Sequence, residues 1–348
     1  MQNKEALLGK TLDELREVVK GLGLPAFTAS QIANWLYVKK VSSIEEMTNL
    51  SKKAREGLAE NFEIGRTLPS KVQTSVDGTK KYLFAAHKGL FIEAAYIPED
   101  DRKTLCVSSQ VGCKMGCLFC MTGKQGFQGQ LKAGEIINQL LSIEESDILT
   151  NVVYMGMGEP MDNIEEVLKS LQILTSDWGF GWSPRRINVS TIGVIPAMRR
   201  FIEESEAHLA ISMHSPFDQE RKKLMPIQQV YTIEKVVEAL REYDFGRQRR
   251  ISFEYIMFEG INDTVEHVKG ITKLLNGMRC RINLIKFHPI PDSPLRGSSN
   301  DKMEWFSNQL SKKGLISTIR RSRGEDIYAA CGLLSTKELV KKDEDSDF

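Results

Sequence analysis

Apolar residues recur along this chain with one spacing up to about residue 62, a second to about residue 103 and a mixed one beyond. Leu12, Leu15 and Val18 share a helical face opened by the capping box Thr11-Leu12-Asp13-Glu14 and closed near Gly21-Leu22-Gly23. Thr28-Ala29-Ser30-Gln31 reads as a second box, starting a helix through Trp35 and Tyr37. Ser43 with Glu46 starts a short third helix, and 51–61 reads as a fourth. Residues 1–62 are therefore expected to form a small N-terminal helical domain. The strand-like runs 70–76, 82–86 and 90–96 follow, with turn signals at Asp77-Gly78 and Lys88-Gly89. They predict an antiparallel β meander and linker over 63–103. From Thr104 onward strands (104–108, 151–155, 187–191, 208–212, 251–257, 281–287) alternate with helices (133–145, 164–175, 196–204, 233–243, 264–275). A helix over 302–312 and a strand over 315–319 complete the series. Six core βα units are too few for a closed eight-strand barrel. The fold class is thus α/β, with an open partial (β/α)6 barrel over 104–333. Ligands in such folds gather at the carboxyl ends of the strands.

Composition narrows the function classes. The 348 residues are 41% hydrophobic and 27% charged, which suits a soluble protein of about two domains. Residues 1–10 carry no apolar signal run, and no stretch approaches the ~20 apolar residues of a membrane span. Six cysteines in so long a chain do not make a disulfide scaffold, so a reducing, cytoplasmic setting is expected. A net charge of +1 neither demands nor excludes nucleic acid. The charges are clustered, however. Pro184-Arg185-Arg186, Arg199-Arg200, Arg247-Gln248-Arg249-Arg250 and Arg320-Arg321-Ser322-Arg323 are basic knots suited to phosphates. Lys39, Lys40, Lys52 and Lys53 give the N-terminal helices either a solvated face or an RNA contact. An acidic tail over 334–348 is expected to be disordered.

Candidate chemistry centres on Cys113, Cys117 and Cys120, a C-x3-C-x2-C loop. Four-iron clusters usually take four cysteines, so three leave one iron open to a substrate. The competing readings are zinc, which wants a fourth ligand, and three structural thiols. Further polar groups stand at the predicted strand ends: Gly158 and Glu159 within Gly156-Met157-Gly158-Glu159-Pro160, then Ser190, Ser212, Met213 and His214, and finally His288. Cys106 lies on the strand before the loop, and Cys331 sits far away before Gly332. Free cysteines are most often small buried hydrophobes, and Cys280 is assigned no more than that.

The C-x3-C-x2-C spacing resembles the signature of radical S-adenosylmethionine (SAM) enzymes. With Tyr96–Arg102, Cys106–Cys120, Met155–Pro160, Leu224–Ile227, Ile282–Ile285 and Arg320–Gly332, the chain resembles the radical SAM dual-specificity methyltransferases of ribosomal and transfer RNA over about 12–333. That family methylates carbon 2 of one adenine in 23S ribosomal RNA and of an adenosine beside the anticodon in some tRNAs. The resemblance implies one 4Fe-4S cluster on Cys113, Cys117 and Cys120 with SAM on the open iron. It implies SAM contacts from Gly158, Glu159, Ser190, Ser212, Met213, His214 and His288. It also implies two SAM per turnover: one methylates Cys331, and the other generates a radical at that methyl group. A covalent protein–RNA adduct follows, Glu93 removes the ring proton, and Cys106 releases the product by forming a disulfide with Cys331. Unfolded or precursor 23S rRNA, tRNA, an external electron donor, no membrane and a monomeric state complete the expectation. Relatives often carry Asn at the position of His288, and Asp-Ile-Asp where this chain has Asp326-Ile327-Tyr328. Alternative readings are methylation of adenine carbon 8, a radical SAM enzyme acting on a small molecule, and a non-catalytic metal-bearing RNA-binding protein.

Overall fold

A computed structural model describes residues 4–246, 249–291 and 293–336. Ten strands form its main sheet: β1 (Lys71–Thr74), β2 (Lys80–Ala85), β3 (Phe91–Pro98), β4 (Lys103–Cys106), β5 (Asn151–Tyr154), β6 (Ile187–Thr191), β7 (His208–Ser212), β8 (Ile251–Met257), β9 (Arg281–Lys286) and β10 (Ile316–Arg320). Each strand pairs with the one before it in sequence. Pairing is antiparallel from β1 to β4 and parallel from β4 to β10. The meander expected as a separate segment over 63–103 is therefore the antiparallel wing of the barrel sheet.

The helices are α1 (Leu12–Gly21), α2 (Thr28–Ala33), α3 (Lys52–Asn61), α4 (Met121–Gln125), α5 (Ala133–Leu141), α6 (Ile164–Thr175), α7 (Ile195–Glu204), α8 (Asp218–Leu224), α9 (Ile233–Arg241), α10 (Val265–Leu274) and α11 (Asn300–Lys312). They cover the outer face of the parallel strands, and a sheet covered on both faces reads as continuous apolar sequence. Every residue of β8 is buried. Its Tyr255 stacks on Phe306 of α11 at 5.6 Å, while its Ser252 and Glu254 face the lumen.

The N-terminal helices dock on the outer wall. Tyr37 lies 5.9 Å from Trp178 and 6.3 Å from Phe180, ring to ring. Glu14 pairs with Lys169 of α6 at 2.6 Å. Lys40 donates to Ser146 Oγ at 2.9 Å and to Asp147 at 2.6 Å, so one of the four expected RNA-facing lysines is a tether. The capping box at Thr11 forms, with Glu14 reaching back to the Thr11 N–H. The one expected at Thr28 does not. Thr28 is buried, the cap position falls on Phe27, and no side chain caps it.

A strap joins the two ends of the sheet. After β10 the chain crosses to the β1–β2 turn, where Ser75 Oγ donates to Asp326 at 2.5 Å and Val76 N at 3.2 Å. In return Gly324 N donates to Asp77 at 3.0 Å. The chain then runs back under the cysteine loop. Thr122 Oγ1 donates to Leu334 O at 2.6 Å, and Thr336 N to Gln125 at 2.9 Å. The tail expected from residue 334 thus stays packed through Thr336, and its acidic part at 337–348 lies outside the described residues. No helix among the described residues is long and apolar enough to cross a membrane.

Candidate active site

The cysteine loop leaves the barrel at Gly112, which turns the chain with φ +69°. A Cβ there would lie 1.7 Å from Gly126 O, so only glycine fits. The loop is pinned by backbone bonds from Cys113 N to Gly126 O (3.1 Å), Leu118 N to Leu224 O (2.9 Å) and Met121 N to Gly332 O (2.8 Å). Cys113, Cys117 and Cys120 all line one cavity at the carboxyl ends of the strands. Burial pushes the Cys113 thiol up to about 12 and raises Cys117 and Cys120; Cys120 adds to the shift of Cys113 and of Cys117, and Cys331 to that of Cys120. Three mutually repelling buried thiols ionise together only around positive charge. Three thiols from one short loop facing one cavity are a donor set that fits a four-iron cluster held by three cysteines.

Glu159, Gly158, Ser190, Ser212 and His214 line the same cavity. Glu159 is buried and fully engaged: it accepts from Thr191 Oγ1 at 2.5 Å, Ile192 N at 3.0 Å and Met161 N at 3.0 Å. Burial nevertheless holds its carboxyl up at about 7. The close approach permitted by Gly158, at φ +98°, is to Gln110 rather than to open space, since a Cβ would lie 2.5 Å from Gln110 Cβ. Met213 is buried outside the cavity lining, and its carbonyl accepts from Arg221 Nε at 3.1 Å. His288 stands apart from the others. It lines the barrel lumen, with Nε2 2.8 Å from Ser322 Oγ.

Cys106 and Cys331 lie 225 positions apart in sequence and line one lumen of about 510 Å³. Cys106 is buried against Ala95 and Ala329. Burial, and then the neighbouring Cys331, push its thiol up to about 12, while Arg320 pulls the other way. Cys331 also lines the cluster-side cavity. All six cysteines are free, so the disulfide expected between Cys106 and Cys331 is not formed in the structure. Glu93 lines neither cavity. It shares a face of β3 with Ala95, and its carboxylate lies 3.0 Å from Lys81 Nζ and accepts from Ser335 N at 3.0 Å.

Two arginines have places that the sequence did not reveal. Arg320, expected among the phosphate contacts, turns inward and lies 3.6 Å from Glu254, beside both cysteines. The alternation of β10 carries the signal, because Arg320 falls on the same face as Thr318. Arg221 is fully buried and donates to the carbonyls of Met213, Ile192, Ser212 and Tyr231 and to Gln228. It sits on α8, for which the apolar pattern is too short to announce a helix. Arg199 and Arg200 pair with Glu242, Glu165 and Glu204 on the outer surface, so the charge of that knot is already balanced by neighbouring carboxylates.

The site also sets a pH dependence of stability. Burial, then Arg221, takes His214 from near 6.5 to about 3, and its Nδ1 accepts from Ile256 N at 3.0 Å. Burial, then the arginines around it, takes His208 to about 4. The unfolded chain takes up these protons near pH 6.5 and the folded chain does not. Stability should fall as pH drops through about 6.5 and keep falling towards 3, offset in part between about 7 and 4.5 by Glu159, which takes up its proton earlier in the folded chain than in the unfolded one. Urea midpoints between pH 7.5 and 5 would show that slope, and His214→Asn should flatten part of it. Equal midpoints across the range would refute it.

Comparison with known proteins adds further findings. Residues 107–275 match the radical SAM superfamily, and residues 5–64 match the ribosomal RNA large subunit methyltransferase N-terminal domain. The chain is 56% identical to a probable dual-specificity RNA methyltransferase RlmN of Phocaeicola vulgatus, covering 97% of each chain. It is 42% identical to the dual-specificity RNA methyltransferase RlmN of Desulfotalea psychrophila, covering 98% of each. A crystal structure of a radical SAM methyltransferase from Sphaerobacter thermophilus superposes with a TM-score of 0.89 at 37% identity, over 95% of this chain and 99% of that one.

Proposed function

From the premise that this chain belongs to the family of radical SAM dual-specificity RNA methyltransferases and is an enzyme of that family, we propose that it transfers a methyl group to carbon 2 of an adenine by way of Cys331. The substrates are 23S ribosomal RNA, in unfolded or precursor form, and tRNA. The enzyme works as a cytoplasmic monomer with an external electron donor. One observation carries the reading. Cys331 belongs to both cavities, so it faces the cysteine loop on one side and Cys106 on the other.

Cys113, Cys117 and Cys120 would hold the 4Fe-4S cluster, and Gly158, Glu159, Ser190, Ser212 and His214 would hold SAM beside it. Met213 would contribute through its backbone. Cluster and SAM together supply the one-electron chemistry that removes a hydrogen atom from an unactivated methyl group. Two SAM are used per turnover. Carbon 2 of adenine is electron-poor and does not attack the methyl of SAM, so Cys331 takes that methyl first as a sulfur nucleophile. The carbon on Cys331 then bonds to carbon 2, Glu93 takes the ring proton, and the unpaired electron left on the adduct would leave to the external electron carrier. Lys81 Nζ lies 3.0 Å from the Glu93 carboxylate. Cys106 attacks the sulfur of Cys331, the carbon–sulfur bond breaks, the released carbon takes up a proton to become the methyl group, and the Cys106–Cys331 disulfide left behind is reduced by the external electron donor. His288 lies on the lumen side, which supports a place for it near the RNA base rather than near SAM.

The test is mass spectrometry of the tryptic peptide spanning 324–337 after incubation with SAM under anaerobic reducing conditions without RNA. One added methyl group on Cys331 is expected. An unmodified thiol in protein with its iron intact would remove Cys331 as carrier and leave the substrate of the radical chemistry open.

A further inference from the structure

The lumen has a second mouth. Alternate residues of the parallel strands point inward, so the barrel interior is built in layers. Near the amino ends of the strands stand Asn151, His208, Arg250 and Arg281. Asn188 stands in register with His208 and Ser252 with Arg281, and Asn283 lies deeper, in register with Glu254. Met155, Glu254, Ile285, Arg320 and Cys331 form the waist, because they line both this lumen and the cluster-side cavity. The lumen therefore runs from the amino ends of the strands to the carrier cysteine, and the SAM side lies beyond it.

Its charge is one-sided. Eight arginines line the lumen against two carboxylates, Glu99 and Glu254. Glu254 is the deep one, already held by Arg320 at 3.6 Å and Asn283 at 2.9 Å. Two of the basic knots split their arginines in the same way. Arg186 donates to the carbonyls of Leu149 and Thr150 and lies over Trp182, and Arg249 donates to the carbonyls of Ala207 and Ile202. Arg185 and Arg250, their neighbours, stand exposed at the mouth. Among the described residues, Arg102, Arg250 and Arg281 form no ion pair. Arg281 and Arg102 instead depress Arg250 further after burial has lowered it. Folding does not by itself gather unpaired like charges. A polyanion that neutralises them does. At the ring, the Asn188 side-chain oxygen is buried with no partner. Amides are the groups that pair with an adenine edge.

We infer that the RNA reaches Cys331 through this amino-end mouth, its phosphates beside the target held by Arg102, Arg250 and Arg281 and its unstacked adenine passing the Asn188 layer. SAM and RNA would then approach the carrier from opposite ends of the barrel. The inference rests on the RNA methyltransferase reading above.

The test is fluorescence anisotropy with a labelled RNA hairpin bearing an unpaired adenine, titrated at several KCl concentrations. Arg250→Gln/Arg281→Gln should weaken binding roughly tenfold and flatten the slope of log affinity against log salt by about 1.4, two single-strand contacts' worth. Neither arginine is ion-paired, so thermal stability and RNA-independent methylation of Cys331 should match wild type. Arg199→Gln/Arg200→Gln, on the outer surface, should leave RNA affinity and slope unchanged. Wild-type affinity and slope in the Arg250/Arg281 variant would overturn the route while leaving the activity standing. Failure of the wild-type protein to bind the hairpin would count against the RNA methyltransferase reading itself, and this route with it.

Discussion

Cys106→Ala should turn the enzyme into a trap. On the proposed mechanism the adduct joins Cys331 to the adenine carbon, and no water or backbone group can lift a sulfur off carbon without a second thiolate. Turnover should fall by at least about a thousandfold, while a protein–RNA band stable to denaturation accumulates to about one RNA per chain. Cys331→Ala should give neither band nor methylated RNA. The two phenotypes should differ because the proposal makes one residue the carrier and the other the resolver. The electrostatics supports that division of labour. Burial keeps Cys106 a neutral thiol, and Cys331 pushes it further the same way. Once Cys331 sulfur is bonded to carbon it bears no negative charge, and burial alone then opposes the pull of Arg320 on Cys106. Denaturing gel electrophoresis with labelled RNA decides the matter. Free methylated RNA from the Cys106→Ala protein would sink the role of resolver.

Arg221→Met should cost about 3–5 kcal/mol of stability and most of the iron. This guanidinium is fully buried, and the main charges acting on it are Cys117 and Glu234. Its donors tie the ends of β6 and β7 to α8, through the carbonyls of Ile192, Ser212 and Met213. The last residue of α8, Leu224, receives Leu118 N at 2.9 Å and so holds the cysteine loop in place. Removing the guanidinium strands those carbonyls and withdraws the one charge that favours a Cys117 thiolate. Arg221→Lys keeps the charge with fewer donors and should fall between. Thermal melting and iron content after anaerobic reconstitution would measure both effects. A variant that melts like wild type and loads its iron normally would remove Arg221 from the support of the site.

The parallel strands were legible because each is a short apolar run bounded by polar turns. The ranges 187–191, 208–212 and 251–257 coincide with β6, β7 and β8. The helices between them announced themselves by period and cap. Three things stayed hidden for physical reasons. Helices α4 and α8 are too short to display a period. The pairing of β3 with β4 is set by backbone hydrogen bonds, which no side chain reports, so the meander looked detached. The convergence of Cys106 and Cys331 is tertiary, and nothing local to either cysteine encodes it. The resemblance supplied it, as it supplied Glu93. The basic knots misled where neighbouring acids lie on another helix, as Glu165 does for Arg200.

The strap sets how far the carrier sulfur can travel. Asp326 is moored to the β1–β2 turn and Gly332 to the cysteine loop. Between these piers hang residues 327–331, about 17 Å of chain at full extension. Tyr328, at the middle of the span, sits at φ +53° with 60% of its surface exposed, a conformation that favours an Asp, as in the Asp-Ile-Asp pattern, over a bulky ring. The span is also seated, since Ala329 N donates to Gly324 O at 2.8 Å and Ala329 and Ala330 are buried. It therefore holds the Cys331 sulfur at a fixed reach from both moorings. On the proposed mechanism SAM, the base and Cys106 must all meet the sulfur within that reach, and lengthening the span by a few residues would blur the order of the three encounters before it weakened any one of them.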